Sequence, residues 1–145
     1  MYKKIFLAVI LSLFLASSAL AADSLQGKLL TKPDGATQIA KSLQADDVSI
    51  ASIHTVTTGK KFYLNAASLN SWGQDTAYFT GIQVYNASDV KQYDILSHGF
   101  KQTYESRSTT ISFPVPLEIP EGWKIKVFCN TEGGSGRAFI NGWEE

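Results

Sequence analysis

The sequence predicts an all-β protein, an antiparallel two-sheet β-sandwich of jelly-roll type. Three observations predict it: short runs of Val, Ile, Thr, Phe and Tyr from about Val48 onward, turn residues at regular spacing between them, and no amphipathic stretch of helical length. An up-and-down barrel is the structural alternative, because periodicity alone does not separate a closed sheet from an open pair.

The chain opens with Lys3 and Lys4, an apolar run from Ile5 to Leu11, a second from Leu13 to Ala16, and then Ala19-Leu20-Ala21. A basic start, a short apolar middle and small residues at minus three and minus one form a secretory signal peptide over residues 1–21, with cleavage expected after Ala21. The apolar middle is shorter than the roughly 20 residues of a spanning helix, and no second such run follows. Ala22, next after the cleavage point, offers no thiol for lipid attachment. The expectation is therefore a secreted or periplasmic protein without a membrane anchor.

Residues 22–47 are more polar and are expected to form an N-terminal arm or ribbon ahead of a sandwich domain over residues 48–145. Lys32-Pro33-Asp34-Gly35, with Pro second and Gly fourth, fits a type I turn joining Leu25–Thr31 to Thr37–Lys41; a loose arm, or a short helix around Ala40 to Gln44, is the alternative. Further on, Thr58-Gly59-Lys60 reads as a hairpin turn between Ser49–Thr57 and Lys61–Ser68, and Asn86-Ala87-Ser88-Asp89 as another between Tyr78–Tyr85 and Val90–Leu96. Two prolines in Phe113-Pro114-Val115-Pro116-Leu117 remove ladder donors, which restricts that run to a sheet edge or a crossing. Ile119-Pro120-Glu121-Gly122 repeats the Pro and Gly turn grammar. It leads into Trp123–Asn130, the clearest strand, where Trp123, Ile125, Val127 and Cys129 alternate with Lys124, Lys126 and Phe128. Thr131-Glu132-Gly133-Gly134-Ser135-Gly136 is expected to reverse the chain into a last strand from Arg137 to about Trp143.

Lys and Arg number 13 against 13 Asp and Glu, and loss of Lys3 and Lys4 with the signal leaves the mature chain mildly acidic. Nucleic-acid binders carry basic patches, so nucleic acid is not an expected partner. The single cysteine, Cys129, excludes an intramolecular disulfide, and the fold has to stand on packing.

Three segments carry a resemblance: Thr58-Gly59-Lys60-Lys61-Phe62-Tyr63-Leu64, Phe113 through Val127, and Gly136 through Glu145. In them the chain, over roughly residues 52–145, resembles small jelly-roll-like β-sandwich modules of bacteriophage virion proteins and uncharacterised bacterial proteins. The resemblance implies a binding or assembly piece and transfers no active-site residue.

Catalytic chemistry has few candidates. His54 and His98 are the only histidines, and Asp94, four residues before His98, would stand about 13 Å from it along a strand, too far to share a metal. Ser135 lacks the Gly-x-Ser-x-Gly form because Arg137 follows, and Cys129 alternates with buried positions. Asp46 and Asp47 lack the Asp-x-Asp-x-Asp-Gly ladder of a calcium loop. No cofactor or metal site is expected.

The aromatic excess is the one suggestive feature: Trp72, Tyr78, Phe79, Tyr85, Tyr93, Phe100, Tyr104, Trp123, Phe128, Phe139 and Trp143. About two-thirds are expected in the core. Trp72, between Ser71 and Gly73, is the leading candidate for an exposed ligand platform, with Tyr93 and Tyr104 behind it. These readings rank a secreted non-catalytic binding or assembly module first, with a protein partner or self-assembly. A carbohydrate-binding protein using exposed aromatics comes second. A small hydrolase using loop carboxylates, drawn from Asp46, Asp47, Asp75, Asp89, Asp94, Glu105, Glu118, Glu121 and Glu132, comes third.

Overall fold

A computed structural model of the chain describes residues 32–73, 79–100 and 104–145. The signal peptide, its cleavage point, the Leu25–Thr31 strand, Asp75 and Tyr78 lie outside the described residues. The compact unit Asp34–Glu145 holds six strands and, among the described residues, no helix. In chain order these are β1 (Thr37–Thr55), β2 (Phe62–Gly73), β3 (Phe79–Tyr85), β4 (Lys91–Gly99), β5 (Glu105–Ile119) and β6 (Lys124–Glu144). All pairings are antiparallel.

The strand β6, 21 residues long, organises the sheet. One of its edges pairs with β1 from end to end. Its other edge is divided: residues 124–129 take β3, and residues 134–144 take β2. Two wings result, β4-β3-β6-β1 and β5-β2-β6-β1, joined through the shared β1/β6 ribbon. The two sheets expected from the sequence are thus one continuous curled sheet.

The Thr131–Gly136 segment, expected to reverse the chain, instead bends β6 without ending it. Asp46 pairs with Ser135 and Val48 with Asn130, so β6 spends four residues where β1 spends only Asp47. Such unequal counts bend a ribbon sharply. Asp47 at φ 53° and Gly133 at φ 70° absorb the bend, and the Gly133 amide donates to Asp47 Oδ1 at 2.9 Å. Residues 37–46 are β-strand paired to the second half of β6, so the helix weighed for Ala40–Gln44 is replaced by strand.

Local turns follow the sequence closely. Asn86 closes the β3–β4 hairpin by accepting from the Ser88 and Val90 amides, both at 3.0 Å. At the β5–β6 turn the Trp123 amide donates to the Pro120 carbonyl at 3.2 Å, so Pro120 is first and Gly122 third. Gly122 sits at φ 72°, a position that glycine takes without strain, and the expected type I register is shifted by one residue. The Thr58-Gly59 turn is present, yet β1 and β2 do not pair; both flank β6. The proline-bearing β5 is an edge strand, as its missing donors require.

The core is mostly aliphatic. Leu64, Leu69, Ile82, Val84, Ile119, Ile125, Val127 and Ile140 are fully buried, joined by Phe62. Of the eleven aromatics named above, only Phe100 and Trp143 are buried among the described residues, so the expected two-thirds is overturned. A tightly curled sheet leaves little internal width for rings, and several lie on its outside. Phe128 covers Gly81 so closely that an added Cβ would meet its ring at 2.5 Å. Cys129 is buried with the aliphatic set, and burial pushes its thiol above the ordinary value.

Candidate functional site

Two clusters of polar side chains inside the sheet are closed on themselves, whereas the buried Trp143 Nε1 has no hydrogen-bond partner among the described residues. At the bend, where β2 leaves the edge of β6 and β3 takes its place, Ser71, Thr80, His98 and Thr109 meet from four strands. Ser71 Oγ is hydrogen-bonded to Thr80 Oγ1 and, at 2.9 Å, to His98 Nδ1; His98 Nε2 reaches Thr109 Oγ1 at 2.9 Å. Burial, with the nearby Arg107 charge, lowers the His98 pKa and favours the neutral imidazole. A serine nucleophile needs an exposed Oγ and an acid behind its histidine. Here Ser71 is buried and a threonine hydroxyl stands in the acid's place, so the cluster fastens strands. Asp94 is not part of it: its carboxylate accepts from Gln83 and Lys91.

The second cluster ties the end of β1 to the end of β6. The buried Glu144 carboxylate accepts from His54 Nε2–H and from the Thr57 amide, each at 2.9 Å. Lys41 Nζ donates to His54 Nδ1 at 3.1 Å, which with the Glu144 bond defines a neutral imidazole. Burial and the Lys41 charge hold the His54 pKa below its ordinary value despite the opposing pull of Glu144. Burial pushes the Glu144 carboxyl up, but the Thr57 and His54 hydrogen bonds together outweigh it and keep its pKa low. Among the described residues, no three His, Cys, Asp or Glu side chains converge.

Unsatisfied polar groups lie on the outside of the second wing. Side chains alternate along a strand, so with Ala138 and Ile140 turned inward, Arg137 and Phe139 face out beside Asn70 and Trp72 of β2. Arg137 stands opposite Asn70, which in turn stands opposite Ser108 of β5; Trp72 lies between Ser135 and Ser106 one row further on. Trp72 is 40% exposed and Phe139 43%. Asn70, Trp72, Ser108, Ser135 and Arg137 are among the residues lining a hollow of about 560 Å³, and Phe139, two residues beyond Arg137 on β6, lies outside it. Arg137 has no ion-pair or hydrogen-bond partner among the described residues, whereas Arg107 at the rim is held by Glu105 at 2.6 Å.

The three sequence-named platform residues are not brought together. Trp72 is in the hollow. Tyr93, on β4, is half-buried against the core, and burial raises its hydroxyl pKa. Tyr104, 71% exposed, precedes β5 at φ 58° and does not line the hollow. Asn70, Ser108, Arg137 and Phe139 were not singled out from the sequence; the alternation Arg137, Ala138, Phe139, Ile140 was the available signal, since it sets a cation and a ring on one face.

No family model matches the sequence, and no curated protein does. Solved structures give likenesses of fold, and phage virion proteins are among them. A cyanophage Pam1 capsid chain is 13% identical at a TM-score of 0.42, covering 78% of this chain and 89% of its own. A pentameric capsid protein from metagenomic phage sequences is 8% identical at 0.40, covering 82% of this chain and 64% of its own. A subunit of Bacillus endospore appendages, described as disulfide-linked pili, is 13% identical at 0.36, covering 80% and 95%. These likenesses are of fold alone.

Proposed function

We propose that the protein is a non-catalytic binding module that works outside the cytoplasm and binds through the outer face of the β5-β2-β6-β1 wing. One observation carries this reading: Arg137, without a partner among the described residues, lies beside the exposed rings of Trp72 and Phe139, whereas the His54 and His98 clusters are hydrogen-bonded within themselves. Exposed aromatic and arginine side chains in one patch are the residue types that dominate binding energy elsewhere. The extracytoplasmic part rests on Lys3 through Ala21.

The test is co-sedimentation of the purified mature protein with envelope and extracellular material of the exporting cell. The double variant Trp72→Ala, Phe139→Ala should lose sedimentation while its melting temperature stays within a few degrees of wild type, because both side chains are solvent-facing. Retained sedimentation in the double variant defeats the reading. The hydrolase alternative is tested by a turnover survey on glycans and esters, in which measurable turnover would restore it.

A second reading, self-assembly, has its own support. Among the described residues the outer edge of β1, 19 residues long, has no strand partner, and β1 carries Val48 and Ile50 at 70% and 49% exposure. Long bare edges add strands of other chains unless they are blunted. Light scattering of Val48→Lys, Ile50→Lys against wild type tests it: an oligomer lost in the variant supports it, and a monomeric wild type ends it.

A further inference from the structure

Around Arg137 the hollow is built of donors. The guanidinium supplies up to five N–H groups and is always charged. Asn70 Oδ1 is occupied by the Ser108 hydroxyl, which leaves the Asn70 amide nitrogen as its open group. Among the described residues, no carboxylate lines the hollow. Asp46, opposite Ser135 on the neighbouring β1, accepts from Gln44 Nε2 at 2.7 Å and is not in ion-pair contact with Arg137. A complementary ligand must bring acceptors and negative charge to the centre of the face.

The surroundings add a second requirement. Along the strand direction the face reads Phe139, then Arg137 with Asn70, then Trp72 beside Ser135. Each step is two residues, roughly 7 Å, so the two rings stand about 13 Å apart with the cation between them. Ring faces attract the C–H faces of sugars, and the flanking hydroxyls of Ser106, Ser108 and Ser135 suit ring hydroxyls. The hollow is open rather than enclosed, which fits a chain lying across it better than a compact molecule sealed inside it.

We infer that this face binds a uronate-bearing polysaccharide, with a sugar carboxylate on Arg137 and Asn70 and sugar rings against Trp72 and Phe139. The inference deepens the proposed binding function and rests on it. Arg137 and Asn70 give charge selectivity, and the rings give selectivity for sugar over other polyanions.

Affinity electrophoresis of the full mature chain tests it, in gels containing polygalacturonate, neutral hydroxyethyl cellulose or single-stranded DNA. Retardation should occur with polygalacturonate alone and should fade at about 1 M salt, where screening shortens to ~3 Å. Arg137→Gln and Trp72→Ala should each weaken it by about tenfold or more, and Arg137→Lys by less than Arg137→Gln, since charge survives while the planar fork is lost. Absence of retardation, equal retardation by hydroxyethyl cellulose or DNA, or an Arg137→Gln variant retarded like wild type would each overturn the inference. If it fails while the Trp72, Phe139 double variant still loses co-sedimentation, only the ligand class is wrong; if both fail, the face is not a binding surface.

Discussion

The two wings share β1 and β6 and have similar interiors, yet their outer surfaces differ. Inside, the first wing presents Ile82, Val84, Ile125 and Val127, and the second presents Leu64, Leu69, Ala138 and Ile140. Outside, the first wing neutralises itself. Lys124 and Lys126 both reach Asp89 at 2.7 Å, these two hydrogen bonds hold its carboxyl at about 2, and Lys126 also lies over the Tyr85 ring. The same wing carries a groove of about 260 Å³ lined by Val48, Ile50 and Phe128 together with the polar Gln83 and Asn130. The second wing leaves Arg137 without a partner among the described residues and sets rings on either side of it. The inward half of the alternation fixes the fold in both wings, and the outward half carries whatever distinguishes them.

The largest expected effect comes from breaking the tie that holds both wings together. His54→Ala removes a donor to the buried Glu144 carboxylate and a ring packed edge-on against Phe62 at 4.8 Å. Urea denaturation should show a loss of about 3 kcal/mol; a loss under ~1 kcal/mol would mean the tie is incidental. Leu69→Ala, inside the second wing, should cost about 3 kcal/mol by the same measurement, as large-to-small changes in tight cores do. Gly81→Ala acts on the first wing alone. Its Cβ would meet the Phe128 ring at 2.5 Å and the Leu96 carbonyl at 2.8 Å, so about 2 kcal/mol should be lost, and the Phe128 environment should change in near-ultraviolet dichroism.

Acidification should act first on the two histidine clusters and only below the ordinary carboxylate range on outer-face acids such as Asp89. Both histidine pKa values are depressed in the fold, so between about pH 6.5 and their folded values the unfolded chain binds more protons and stability falls as pH falls. Glu144, also depressed, adds a second loss below its ordinary value of 4.5. Melting temperatures from pH 8 to pH 4 should therefore decline in two stages, and Glu144→Gln should flatten the lower one. The smallest effect should come from Trp72→Ala, whose stability should stay within about 0.5 kcal/mol of wild type.

What could be read in the sequence was local. Period-two alternation located β6 from Lys124 onward, Asn86 and Gly122 marked real turns, and the prolines of β5 placed it at an edge. The rest depended on partners far along the chain. Glycines 133, 134 and 136 read as a reversal, because nothing nearby reveals that β1 runs alongside and holds the strand direction through the bend. His54 and Glu144 are 90 residues apart and Ser71 and His98 are 27 apart, so neither cluster could be seen as a unit. Trp72 was legible as a surface ring from its Ser and Gly neighbours. Arg137 was not, because its significance lies in its cross-strand neighbours Asn70 and Gln44, neither of them acidic.

Sharing one strand between the wings has a consequence for how the molecule comes apart. Peeling either wing away removes a ladder from β6, and β1 along the other edge spans the junction, so neither wing has an independent boundary at which to open. Amide protons near Val127 and near Ile140, on opposite sides of the bend, should therefore exchange with solvent at a common free energy, equal to that of global unfolding. A chain of this kind has no partly open resting form to be captured between its two halves.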